Sequence, residues 1–476
     1  EAAAAAAGAA AAAAAAALAS ATERETPEAL VGTPFAEAPH PAAAALVASE
    51  LRALLTPLIK DLADWTVKTR LRGAQTLLGT LWLAGPATTE LFDSLLPAFL
   101  RGVDDDDDEV SKVVRRCICL VGCRADPNVY LPLTLAQLSP STADSDTDAG
   151  LVGRRGLCLG VLGGLMSGVP PSTLAPHIAT LTAMVAKPAF CVPSTSDEEE
   201  SSGFYGATQL RLCQFIQALI ARAGSLCVQS PQCFSLYCAL MRLASVPSTA
   251  ARGFTAQQRA LEVLATLAET AGHMSSEGLH ATHLPQLLQQ VAGDETYATW
   301  TITTSDWHLV QALLRQCGGA TAAASLLVLV PMFARLLQPK QEPALRATAL
   351  SVLHQLLSCP EFARAPELDD WAEHMFAVLL IPNLVWRSGK AAEHVRHAAM
   401  RCLSMLAPLP PLTPKAIAEQ LDDALPVITS CLDDDLTETR RLSCCVVNAA
   451  LAKMGSTLTK EAWVSRPPPP SPSPPC

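Results

Sequence analysis

The sequence predicts an all-α fold made of stacked helix pairs, and three observations predict it. Half of the 476 residues are hydrophobic but only 5% are aromatic, so strand-favouring residues are sparse while Leu and Ala favour helix. Apolar residues recur at helical spacing in segments of about 12–18 residues, separated by proline, glycine or polar clusters. A block of similar sequence also recurs along the chain, which is the signature of a helical repeat.

Each copy of the block contains a proline, a short apolar helix, an acidic or polar turn, and an arginine in a second helix. The clearest copies begin at Pro57, Pro97, Pro331, Pro382 and Pro426. We place each proline in the first turn of its helix, because proline needs no N–H partner there. The steps of 40, 51 and 44 residues between neighbouring copies are typical of HEAT repeats. The predicted fold class is therefore an all-α HEAT-repeat α-solenoid of antiparallel helix pairs.

The composition divides the chain into a repeat array with a tail at each end. Residues 1–50 are rich in alanine and proline, and we predict a disordered segment there. The array spans 51–463, interrupted by acidic stretches near 139–150 and 193–203 that are too polar to pack and are predicted to loop out. The proline-rich tail, 464–476, is predicted to be disordered as well.

An acidic residue stands six positions before the arginine in three copies of the block. We interpret these residues as a structural ladder, in which each arginine pairs with acids on its own turn and on the adjacent turn. The alternative is a basic ridge that binds a ligand. The predicted ladder residues are Asp64, Arg70, Glu109, Arg115, Arg346, Arg396, Asp434 and Arg440.

The charge balance argues against a nucleic-acid partner, because 34 Lys and Arg face 45 Asp and Glu and the formal net charge is −11. Residues 316–334 contain no charge and are long enough to span a membrane. Gly318, Gly319 and Pro331 interrupt that stretch, so we expect two short helices there and no contact with a membrane.

The sequence predicts no catalytic, cofactor-binding or metal site. The 16 cysteines lie mostly in apolar runs without a Cys-x-x-Cys pair, which is typical of buried, reduced thiols. Histidines 273, 280 and 283, and histidines 394 and 397, suggest an enzyme with a dispersed metal site only weakly, and we interpret them as surface residues. Glycines 156, 160, 163 and 164 are interpreted as close helix contacts rather than as a phosphate loop.

Three stretches are more distinctive than a generic HEAT unit. They are Asp61–Arg70 followed by Ala74 to Leu78, Ile381–Lys390 leading into Val395–Ala399, and Asp433–Asp435 leading to Asn448. In order and spacing they resemble the dynein axonemal assembly factor 5 family, over roughly residues 51–463.

This resemblance implies a non-enzymatic, cytoplasmic scaffold for preassembly of outer and inner axonemal dynein arms, which cilia and flagella need for motility. The implied partners are dynein intermediate or heavy chains and chaperones or co-chaperones, with no cofactor. A generic HEAT scaffold, of the transport-receptor or phosphatase-scaffold type, is the alternative that the repeat alone leaves open. The predicted contact residues lie near second-helix starts, where aromatic and arginine side chains favour binding: Trp65, Lys68, Arg72, Trp386, Arg387 and Lys390. For Trp65 and Trp386, burial between repeats is the competing interpretation.

Overall fold

A computed structural model describes residues 35, 37–138, 148–191, 202–246, 255–293 and 296–455. These residues form helices joined by turns, and no strand occurs among them. The chain divides into two compact units, Glu1–Ser276 and Glu277–Cys476. Both predicted tails lie largely outside the described residues, as do most of the two acidic stretches.

The helices of the first unit are α1 (Pro41–Leu62), α2 (Val67–Ala84), α3 (Phe92–Gly102), α4 (Asp108–Arg124), α5 (Pro127–Ala136), α6 (Asp148–Gly168), α7 (Pro171–Leu174), α8 (Ile178–Val185), α9 (Pro188–Cys191), α10 (Ser202–Ala223), α11 (Gln232–Ser245) and α12 (Ala256–Thr270). Short 3-10 turns join several of them. The helices form pairs, and the second helix of each pair packs on the second helix of the next: α2 on α4, α4 on α6, α6 on α10 and α10 on α12.

The helices of the second unit are α13 (Glu277–Ala292), α14 (Ser305–Gln316), α15 (Gly319–Ala323), α16 (Leu326–Leu336), α17 (Pro343–Leu357), α18 (Pro360–Ala363), α19 (Ala372–His374), α20 (Ile381–Leu384), α21 (Lys390–Leu406), α22 (Pro414–Glu419), α23 (Leu421–Ser430) and α24 (Thr437–Met454). A π-helical segment, Met375–Leu380, links α19 to α20. The second helices stack in series here as well, with α14 packed on α17, α17 on α21 and α21 on α24. Serial stacking of helix pairs confirms the predicted fold class.

Side-chain caps explain where several helices begin. The Asp107 carboxylate accepts hydrogen bonds from the backbone N–H groups of Glu109 and Val110 at 3.0 and 3.1 Å, which satisfies two donors that α4 leaves unpaired. The side chains of Thr255 and Gln258 form a reciprocal capping box at the start of α12. The acidic turns therefore serve partly as helix starts.

Four of the five repeat prolines lie inside their helices rather than in the first turn, so that prediction is wrong for them; Pro382 does lie in the first turn, as the second residue of α20. Pro97 lies at the sixth residue of α3, and Pro57, Pro331 and Pro426 are likewise internal to α1, α16 and α23. Proline removes the hydrogen bond to the carbonyl four residues earlier. In all four helices the proline and the residue four before it are exposed, so water satisfies the freed carbonyl and the helix continues.

The helical region begins earlier than the predicted array start at residue 51. Helix α1 starts at Pro41, and the preceding backbone contacts α2, because the Trp82 indole N–H donates to the Glu37 carbonyl at 2.8 Å. The Phe35 ring also packs edge-on against Trp82, with ring centroids 5.9 Å apart. These contacts order residues that composition alone assigns to a disordered segment.

One helix among the described residues, Pro41–Leu62, is long and apolar enough to cross a membrane by length and composition. Length and composition alone are weak evidence, since a helix that packs on one side passes the same test. Leu51, Leu55 and Leu62 of this helix are buried, and α1 packs against α2. The stretch 316–334 is divided between the end of α14, the short α15 and α16, so it is interrupted as predicted, but its last helix begins at Leu326 rather than at Pro331.

Helices α4 and α6 approach so closely that only glycine fits between them. A Cβ atom on Gly168 would lie 1.8 Å from the Cys119 carbonyl oxygen, and one on Gly122 would lie 2.2 Å from the Leu165 carbonyl oxygen. Gly164 similarly faces Ile118. The glycines of α6 therefore serve helix packing, which confirms that interpretation.

Candidate protein-interaction surfaces

Arg70 connects two consecutive turns of the first unit. Its guanidinium donates to both carboxylate oxygens of Asp105 at 2.9 Å and also contacts Asp106, both in the turn between α3 and α4. It further donates to the backbone carbonyls of Asp64 and Trp65, each at 3.3 Å. Arg70 itself is 9% exposed, so one buried cation joins its own turn to the next.

Arg396 does the same in the second unit. Its Nε donates to the Asp434 carboxylate at 2.8 Å, with side-chain exposures of 4% and 1%. Its Nη1 donates to the Arg387 carbonyl at 2.8 Å. Arg440, the next of the predicted ladder arginines, donates to the carbonyls of Asp434 and Asp435 at 2.7 and 3.3 Å. Each of these arginines therefore fixes the backbone of the turn before its own helix.

Arg346 differs, because its partner is the amide of Asn383, which lies in the short helix α20. Its Nε and Nη2 donate to Asn383 Oδ1 at 3.0 and 2.6 Å, and Asn383 Nδ2 donates to the carbonyls of Leu337 and Leu379. Among the described residues no carboxylate lies within 4.0 Å of Arg346. Burial lowers the pKa of Arg346, and the nearby charge of Arg387 lowers it further.

The predicted pairing of each arginine with the acid six residues earlier is wrong in detail. Arg70 and Arg440 contact the backbone carbonyls of Asp64 and Asp434, and the Asp64 carboxylate accepts instead from Thr66. Glu109 lies in the exposed first turn of α4, where it pairs with Lys112 at 2.7 Å. Arg115 consequently donates to the Val103 carbonyl at 3.3 Å.

Asp434 was predicted as a ladder residue and accepts from Arg396, but sequence reasoning missed the acceptors of Arg70 and Arg346. Asp105 and Asp106 belong to an acidic run that looked like an insertion, and Asn383 is neither acidic nor periodic. The sequence separation between each arginine and its acceptor could have identified these partners. It is 35, 37 and 38 residues for Arg70, Arg346 and Arg396.

The predicted contact residues lie on exposed turns and first helical turns of both units. Trp65 is 88% exposed and Trp386 is 65% exposed, which rules out burial between repeats for both side chains. Lys68, Arg72, Arg387 and Lys390 are exposed as well. Val67 and Val385 are partly exposed beside the two tryptophans. The first group forms the Trp65 surface (Trp65, Val67, Lys68, Arg72), and the second forms the Trp386 surface (Val385, Trp386, Arg387, Lys390).

Two buried arginines fix the backbone of the turns that carry these exposed side chains. Arg70 donates to the carbonyl of Trp65, and Arg396 donates to the carbonyl of Arg387. Gly389 supports the second turn with φ of 100°, a conformation that other residues rarely adopt. Fixed, exposed aromatic side chains flanked by cations have the composition of protein-binding hot spots.

No group of three or more His, Cys, Asp or Glu side chains within the described ranges could hold a metal ion. His280 is fully buried, so its interpretation as a surface residue is wrong; burial lowers its pKa.

An apolar groove of about 310 Å³ at the end of the second unit is lined by Phe376, Leu425 and Leu451 among others, with Thr429 as its polar member.

Comparison with known proteins identifies the relatives of this chain. Residues 33–244 match the family model described as the HEAT-repeat domain of dynein axonemal assembly factor 5. The chain is 28% identical to the human protein of that name over 421 residues, and 25% identical to the Xenopus laevis protein over 410 residues. These alignments cover 88% and 86% of this chain but 46% and 45% of the relatives, so the chain spans about half of their length. The resemblance predicted from the sequence is confirmed.

The crystal structure of Kap121p aligns with a TM-score of 0.38 at 15% identity, covering 85% of this chain and 38% of that chain.

Proposed function

Because residues 33–244 match the model of the dynein axonemal assembly factor 5 HEAT-repeat domain, we propose that this chain is a non-enzymatic scaffold for the preassembly of axonemal dynein arms. It acts in the cytoplasm on outer-arm and inner-arm components, and motility of cilia or flagella depends on it. Its clients are dynein intermediate or heavy chains, received together with chaperones or co-chaperones.

The observation that carries this proposal is the pair of exposed tryptophans on fixed turns. A large protein client offers no deep cavity to fill, so affinity has to come from a few rigid anchors surrounded by cations and smaller apolar groups. The Trp65 surface and the Trp386 surface each supply one such anchor in its own unit. No cofactor is needed for this role, since binding and release of clients involve no covalent step.

Affinity purification of the tagged chain from the cytoplasm of ciliated cells, followed by mass spectrometry, tests the proposal. We expect axonemal dynein chains and chaperones to co-purify. The variants Trp65→Ala and Trp386→Ala should each weaken dynein recovery, because loss of a hot-spot tryptophan costs roughly 2 kcal/mol or more, about 30-fold in affinity. Circular dichroism should show unchanged folding, because both side chains are exposed.

Met274→Ala is the matched control, because Met274 is a fully exposed apolar side chain outside both surfaces. It should leave dynein recovery unchanged. Wild-type recovery by both tryptophan variants would contradict the two surfaces. Reproducible capture of nuclear import cargo or a phosphatase catalytic subunit without dynein would instead favour a HEAT scaffold of another kind.

A further inference from the structure

Helix α21 presents a continuous stripe of basic side chains on one face. Lys390, His394, His397 and Arg401 follow one another at intervals of four, three and four residues, which places them on the same side of a helix. Lys390, His394 and Arg401 are exposed and His397 is half-buried. At 1.5 Å per residue the stripe is about 16 Å long, which matches roughly five residues of an extended peptide.

Neighbouring helices place a histidine and a threonine against the stripe. His354 on α17 lies beside the end of the stripe, with its Nδ1 3.4 Å from Arg401 Nη2. On the other side, His397 Nδ1 lies 3.1 Å from Thr439 Oγ1 of α24. The stripe on α21 therefore touches α17 on one side and α24 on the other. Neither contact brings a carboxylate to the stripe, because the partners are an imidazole and a hydroxyl.

The local charge balance is positive although the whole chain carries −11. Helices α17 and α21 together contain four permanent cations, Arg346, Lys390, Arg396 and Arg401, and one carboxylate, Glu393. Asp434 is engaged by Arg396. The nearest carboxylate on α24, Glu438, is paired with Arg441 at 2.6 Å.

The histidines respond to this excess of positive charge. Burial lowers the pKa of His354, and Arg401 and His397 lower it further. Burial and Arg401 likewise lower the pKa of His397, with a contribution from His394 in the same direction, while Glu438 and Asp434 act in the opposite direction. Both imidazoles are therefore neutral near pH 7, and an approaching anion would favour their protonated forms.

We propose that the α21 stripe, formed by Lys390, His394, His397 and Arg401, is a docking surface for an acidic peptide segment of a partner protein. Charge complementarity favours this occupant, because a run of Asp or Glu residues brings carboxylates to a face whose nearest acids, Asp434 and Glu438, are already paired with Arg396 and Arg441. Protons taken up by His354 and His397 on binding make the complex tighter as the pH falls. The stripe shares only Lys390 with the proposed dynein surfaces, so the two proposals can fail separately.

Fluorescence anisotropy of a fluorescein-labelled octaglutamate peptide, titrated with the full chain, tests this inference. We expect saturable binding at low salt that weakens as salt is added. Affinity should be roughly three- to tenfold higher near pH 6 than near pH 7.5. Arg401→Gln should reduce affinity about fivefold or more. The double variant His354→Gln with His397→Gln should reduce the pH dependence.

Arg116→Gln is the matched control, because Arg116 is an exposed arginine on helix α4 of the first unit. This variant should bind the peptide as the wild type does. Absence of saturable binding, or equal losses in Arg116→Gln and Arg401→Gln, would overturn the proposal. Tighter binding of a single-stranded oligonucleotide of the same length would assign the stripe to nucleic acid instead.

Discussion

Arg396 and Asp434 form an ion pair from which water is almost entirely excluded. A buried pair contributes little net stability compared with apolar residues of similar size, but loss of one partner leaves a charge buried without compensation. Asp434 also accepts from the backbone N–H of Leu436 at 3.1 Å, so its carboxylate organises the next turn as well. The pair thus specifies how two consecutive repeats meet.

We expect Arg396→Met to lower the free energy of unfolding of the second unit by about 3 to 5 kcal/mol, because it strands the Asp434 carboxylate. The double variant Arg396→Met with Asp434→Leu should be less destabilised than the single one. Urea unfolding measures both. Arg441→Gln, which breaks the exposed pair with Glu438, should leave the urea unfolding curve nearly unchanged, because solvent screens that pair; equal losses at the two sites would contradict the role given to burial.

At the scale of the helix, the α4–α6 contact depends on two glycines that point at carbonyl oxygens. The backbones approach there more closely than any side chain allows, so the helices cannot shift by a rotamer change. The contact is thus set by backbone geometry rather than by the surrounding leucines and cysteines.

Gly168→Ala should destabilise the first unit by roughly 1 to 3 kcal/mol or more, because its Cβ would overlap the Cys119 carbonyl and force α4 and α6 apart. Thermal unfolding followed by circular dichroism provides the measurement. Gly79→Ala is the matched helical control, with no heavy atom within 4 Å of its Cβ position, and should raise stability by about 0.5 to 1 kcal/mol. A neutral Gly168→Ala would show that the helices separate freely.

Sequence periodicity predicted the helix pairs and their order, because amphipathic spacing and repeated arginines are local signals. It could not predict that Pro97 lies inside its helix, since that depends on whether the Asp93 carbonyl faces water. Nor could it identify Asn383 as the partner of Arg346, because an amide replaces a carboxylate only in the context of the surrounding carbonyls. The exposure of Trp65 and Trp386 was equally inaccessible, as an indole suits a core and a binding surface alike.

At the scale of the whole molecule, the cysteines couple stability to pH. All fifteen cysteines in the described part of the chain are free thiols, and only Cys444 and Cys445 among them are exposed. Burial raises the pKa of Cys119, Cys191 and Cys213 to about 12, and raises that of most others. A thiol whose pKa is higher in the folded state contributes stability below its unfolded value, and this stability is lost as pH rises.

We therefore expect cooperative loss of helix between about pH 9 and 12, with each buried thiol contributing up to about 1.4 kcal/mol per pH unit. Far-UV circular dichroism during an alkaline titration measures this loss. The double variant Cys444→Ser with Cys445→Ser should titrate like the wild type, since both thiols are already exposed. Full retention of helix beyond pH 12 would contradict the assigned burial.

The contrast between surface and interior tryptophans gives the protein intrinsic optical reporters. Trp65 and Trp386 stand in water, whereas Trp300 and Trp307 are almost entirely enclosed, so the two sets differ in emission wavelength and in access to a dissolved quencher. Excitation at the red edge favours the solvated indoles and follows engagement of a client without an added label. The enclosed pair, with ring centroids 6.3 Å apart, reports separately on whether the second unit remains folded.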